Sequence, residues 1–112
     1  MAGKPAKYRV LLTGGAGRDL EALYDYVVRS DGFSQARHLL DRLMETVESL
    51  ARFPQRGSHP KELAALGIKE YWQVLFKPYR VIYRVIDRRV IIYLIVEGRR
   101  DMQSVLARKL LM

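Results

Sequence analysis

The chain has 112 residues, of which 49% are hydrophobic, and it carries 20 lysines and arginines against 12 acids, a formal charge of +8. One domain spanning 1–112 can bury a core of its own at this length and apolar content, with residues 1–6 expected as a flexible N-terminal segment. Having no cysteine, it is excluded from disulfide frameworks, thiolate metal sites and cysteine nucleophiles. No uncharged apolar run of membrane-spanning length occurs and the first residues do not read as a signal peptide, so the expectation is a soluble cytoplasmic protein with no membrane partner. The positive charge is unevenly spread. Residues 1–68 hold 10 basic and 8 acidic residues, whereas residues 69–112 hold 10 and 4, which points the C-terminal half toward acidic partners.

In chain order, Tyr8 to Thr13 reads as a strand leading into GGAGRD. Three glycines between a strand and a helix suggest a phosphate loop, but neither the Gly-Lys-Ser/Thr ending nor the dinucleotide pattern is present, and a flexible connection is expected there. From Asp19, Leu20, Leu23, Tyr24, Val27 and Val28 follow a helical period that Ser30-Asp31-Gly32 breaks. Ser34 is the expected cap of a second helix whose stripe is Ala36, Leu39, Leu40, Leu43, Val47 and Leu50, ended by Phe53-Pro54. A helical turn at Lys61 to Ala65 then precedes three strands, Ile68 to Phe76, Tyr79 to Asp87 and Val90 to Glu97. Their two-residue connections require antiparallel neighbours. Asp101 to Leu111 is a terminal helix or an extended tail. The fold class is α+β, ordered β-α-α-β-β-β, with a helical hairpin packed on one face of an antiparallel sheet.

Alternation along the strands places Tyr79, Val81, Tyr83 and Val85 on one face and Arg80, Ile82, Arg84 and Ile86 on the other. It sets Lys69, Tyr71, Gln73 and Leu75 opposite Trp72, Val74 and Phe76, and in the last strand Val90, Ile92, Leu94 and Val96 opposite Ile91, Tyr93 and Ile95. An unpaired buried arginine is costly, so Arg80 and Arg84 are expected to look out of an uncovered face, with Arg99 and Arg100 arriving beside them. The competing expectation pairs these arginines internally with Glu70, Glu97 or Asp101. The two histidines, His38 and His59, have no carboxylate cluster at metal-ligand spacing, so no metal or other cofactor is expected. No serine sits in a nucleophile elbow.

The element order, the helix opening RDLEALYDYV, the FPQRG after the second helix, and YRVIYRVID followed by VIIYLIVEGRRD together resemble the RelE/ParE toxin superfamily of type II toxin–antitoxin systems. The resemblance covers about Tyr8 to Leu110. It implies one of two activities on a shared scaffold: ribosome-dependent cleavage of mRNA in RelE-like members, or poisoning of DNA gyrase by trapping its cleaved-DNA complex in ParE-like members. Both are silenced by a cognate antitoxin. Carried over residue by residue, the nuclease's hairpin arginine falls on Arg80 and its later arginine on Arg100. Its strand lysines fall near Tyr71 and Gln73, with Lys69 on the same face, and its C-terminal tyrosine falls near Leu106. Phosphate-binding groups are thus matched and proton-moving groups are not, and arginine is a poor general base. The ParE-like branch fits this departure better, as does the tail DMQSVLARKLL. A ribosome-dependent nuclease, whose catalytic residues would be Arg80, Arg100 and Lys69, is the alternative, and a basic module without toxicity is a third. Lys69, Tyr71, Trp72, Gln73, Arg80, Arg84, Arg99 and Arg100 are the candidate surface for target or antitoxin.

Overall fold

The computed structural model describes residues 7–98 and 102–110. The expected flexible segment 1–6 and the candidate residues Arg99 and Arg100 lie outside these. Four strands, β1 (Arg9–Leu12), β2 (Tyr71–Phe76), β3 (Tyr79–Ile86) and β4 (Arg89–Glu97), form one sheet in the order β1-β4-β3-β2. The last three are antiparallel neighbours, as their short turns require. β1 instead pairs parallel with β4, which makes the sheet mixed rather than antiparallel: the long crossover through two helices returns the chain in the same direction.

Helices α1 (Gly14–Asp31) and α2 (Phe33–Ser49) form the crossover. α1 begins five residues earlier than its apolar stripe suggests, and the glycine segment is its first turn rather than a flexible connection. Thr13 makes this possible, because its Oγ1 accepts the amide of Ala16 at 3.1 Å and so caps the helix at the end of β1. Gly32, at φ +93°, separates the two helices. It also occupies the N-cap of α2, where no side chain bonds the helix end, so Ser34 lies inside α2 and is not its cap.

The hairpin packs Leu43, Val47 and Leu50 onto Val74, Val81, Tyr83, Val90, Ile92 and Ile95. Burying a large aliphatic side chain of this kind contributes about 1.5–3 kcal/mol. The opposite sheet face, expected to be open, is covered at one end. There Leu63 of α3 (Lys61–Ala64) and Val105 and Leu106 of α4 (Met102–Leu110) close over Tyr71, Ile82, Leu94 and Val96.

β4 departs from simple alternation. Ile82 faces Leu94 while Tyr83 faces Ile92, so Tyr93 is an extra residue and the pleat reverses at this bulge. Val90 and Ile92 therefore face the hairpin together with Ile95, whereas Leu94 and Val96 face α3 and α4. β1 ends opposite Ile92, beyond the reach of Ile95, and Asp19 of α1 accepts the Ile95 amide through Oδ2 at 3.1 Å. No helix among the described residues is long and apolar enough to cross a membrane.

Candidate functional site

β3 presents Arg80 and Arg84 on the same face, as alternation requires, but their surroundings differ. Arg80 lies at the covered end, where its Nη1 and Nη2 donate to the two carboxylate oxygens of Glu62, each at 2.9 Å. Its Nε donates to Gln73 Oε1 at 2.8 Å, and Nη2 donates to the same oxygen. The side chains of Arg80 and Glu62 are only 11% and 16% exposed. The guanidinium fork is thus occupied by a two-point carboxylate contact and an amide, and Arg80 does not look out of an open face. The carboxylate that holds it is Glu62 of α3, an acid the sequence expectation did not name. The hydrogen bond from Arg80 holds the Glu62 carboxyl below its ordinary value of 4.5, against the desolvation that raises it.

Gln73 joins this network to the edge of the sheet. Its amide donates to the Ser58 carbonyl at 2.7 Å, and Ser58 returns the bond at 3.0 Å. Gly57 allows the approach, since a Cβ there would lie 2.0 Å from the Gln73 carbonyl oxygen. The FPQRG segment therefore ends in glycine because β2 passes where a side chain would be.

Arg84 sits toward the other end of the face. Its guanidinium carbon is 5.6 Å from the centre of the Tyr71 ring, and Tyr71 meets Tyr93 edge-on at 5.7 Å. No carboxylate lies within ion-pair distance of Arg84 among the described residues, and its Nε is buried without an acceptor. Burial pushes the Tyr71 hydroxyl above its ordinary range, although Arg84 opposes this. Tyr71 is therefore poorly suited to accept or release a proton near neutrality.

The other candidates separate. Trp72 belongs to the hairpin face, half-buried, with its ring 4.3 Å from that of His59. His59 Nδ1 in turn donates to the Tyr71 carbonyl at 3.1 Å. Lys69 is exposed just before β2 begins. Leu106, where the nuclease resemblance calls for a tyrosine, is fully buried in the second core. Sequence reasoning missed Glu62, which is 18 positions before its partner; an acid in a short helical turn just after Pro60 was the available signal.

The family model for the ParE toxin of the type II toxin–antitoxin system, parDE, matches residues 10–102. Toxin ParE3 of Caulobacter vibrioides is 28% identical over 101 residues, covering 90% of this chain and 97% of that protein. Among solved structures, the chromosomal ParDE toxin–antitoxin system from P. aeruginosa superposes with a TM-score of 0.69 at 20% identity, over 83% of this chain and 98% of that one. The toxin–antitoxin complex RelBE2 from Mycobacterium tuberculosis gives a TM-score of 0.60 at 25% identity, over 86% and 97%. With the family model spanning most of the chain and the fold shared with both toxin systems, the protein belongs to the ParE toxin family of type II toxin–antitoxin systems.

Proposed function

We propose that this toxin acts by binding rather than by bond chemistry of its own, with DNA gyrase as its cytoplasmic target and a cognate antitoxin as its restraint. The observation that carries the reading is the state of Arg80. In the nuclease resemblance this residue neutralises a scissile phosphate, whereas here its donors are taken by Glu62 and Gln73. Gln73 lies beside it, Tyr71 with its raised hydroxyl pKa lies by Arg84, and Leu106 is buried in the second core. None is suited to take a proton from a 2′-hydroxyl near neutral pH.

The antitoxin fits the part of the sheet face that α3 and α4 leave uncovered. Half-buried Leu11, Ile91 and Tyr93 lie there with Arg84, a composition suited to an acidic segment with apolar side chains. Incubation with gyrase and supercoiled plasmid, and separately with ribosomes and mRNA, tests the target. Accumulation of trapped, cleaved plasmid with intact mRNA is expected. Codon-spaced mRNA cuts with unaffected gyrase would instead establish the ribosome-dependent nuclease.

A further inference from the structure

Six of the cations that the sheet face does not use gather at one pole of the molecule. Arg9 opens β1 beside Arg89, its register partner on β4, and the Arg9 amide donates to the Arg88 carbonyl at 2.9 Å. The Arg88 guanidinium lies 5.7 Å from the centre of the Tyr8 ring. The Tyr8 amide donates to the Ala51 carbonyl at 2.9 Å, which brings the end of α2 to the same place. There Lys7 and Arg52 line a shallow hollow with Glu48 and Ser49, and Arg56 Nη1 donates to Ser49 Oγ at 2.6 Å. Lys7, Arg9, Arg52, Arg56, Arg88 and Arg89 are all exposed. Opposing them, Glu48 lines the hollow and Asp87 approaches Arg89 at 3.7 Å, so cations remain in clear excess.

This pole differs in kind from the Arg84 surface. Its charges stand on a strand start, a turn and a helix end, projecting into water, and among the described residues a single exposed large apolar side chain, Phe53, sits beside Arg52. An amphipathic peptide would find little to bury. A regular array of phosphates would find several cations, each able to displace a condensed counterion. We infer that this pole binds the backbone of duplex DNA without reading sequence. The choice of DNA among polyanions rests on the gyrase reading, in which the toxin meets a protein already holding cleaved duplex.

The test is fluorescence anisotropy with a labelled 20-base-pair duplex across about 50 to 200 mM salt, in the absence of gyrase. One variant combines Arg9→Ala, Arg88→Ala and Arg89→Ala. A charge-matched control combines Arg18→Ala, Arg29→Ala and Arg37→Ala on the helical hairpin. The pole variant is expected to bind at least about 10-fold more weakly than the parent, with a log–log salt slope shallower by about 2 to 3, while the control stays within about 3-fold. Equal losses in the two variants would show that only bulk charge matters and overturn the inference. So would a parent that prefers single-stranded RNA of the same length, or one that does not bind the duplex at the lowest salt. Should the triple variant not fold, Lys7→Ala alone is expected to flatten the slope by about 1, and an unchanged slope there overturns the inference. Failure of the gyrase reading would appear in the plasmid assay, and failure of this one in the anisotropy.

Discussion

Arg80 and Arg84 are four residues apart on one strand and point to the same side of one sheet, yet the fold treats them in opposite ways. Arg80 is held at two points by Glu62 of α3 and capped by Gln73. Arg84 rests on an aromatic ring with no carboxylate in ion-pair reach among the described residues. The first is the position that the nuclease resemblance would make chemical, and its donors are taken by Glu62 and Gln73. What decides between them is whether an acid is delivered by a neighbouring element, which strand alternation alone cannot specify.

The largest effect is expected from breaking the closed end. Arg80→Ala leaves the Glu62 carboxylate buried without its partner, and losing one member of such a pair costs about 3–5 kcal/mol. Thermal melting should show a correspondingly large fall, whereas the exposed-face expectation required almost none. Gly57→Ala comes next. A Cβ that would sit 2.0 Å from a backbone oxygen forces the loop off the edge of β2, a strain of about 1–3 kcal/mol by the usual cost of overpacking. Circular dichroism melts of the two variants rank them.

Acid offers a gentler way to open the same contact. Because Glu62 has a folded pKa below its ordinary 4.5, its bridge contributes fully above that value and is lost as the pH falls through the lowered one. Melting temperature should therefore drop on the acid side of 4.5, and Glu62→Gln should remove that part of the pH dependence while lowering stability at neutral pH. The smallest effect belongs to Arg84→Ala, which forfeits a ring contact of about 0.5–1 kcal/mol. The folded variant should nevertheless bind the antitoxin less tightly in a pull-down, and unchanged capture would remove Arg84 from that surface.

Much of this comparison was legible in the sequence, and its gaps have identifiable causes. Alternation in YRVIYRVI placed both arginines on one side, and the two-residue connections gave the antiparallel neighbours. The bulge at Tyr93 was hidden because IIYLIV is apolar at every position, so a reversal of the pleat leaves no polar residue on the wrong face. The glycine segment resembled a loop because the signal that starts α1 is Thr13, one residue before the glycines. Glu62 was overlooked because its element has four residues and no periodicity to weigh. Without α3 on the sheet, Arg80 had no visible partner and an exposed role followed.

In the proposed reading Arg80 serves the fold and not a reaction. The decisive measurement is the toxicity of an Arg80→Met/Glu62→Leu double variant, which replaces the buried pair with apolar side chains of similar length and avoids the stranded charge of either single change. Growth arrest on induction should match the parent's, with melting restored well above that of Arg80→Ala. A double variant that folds as stably as the parent and no longer arrests growth would contradict the account and return Arg80 to the working site.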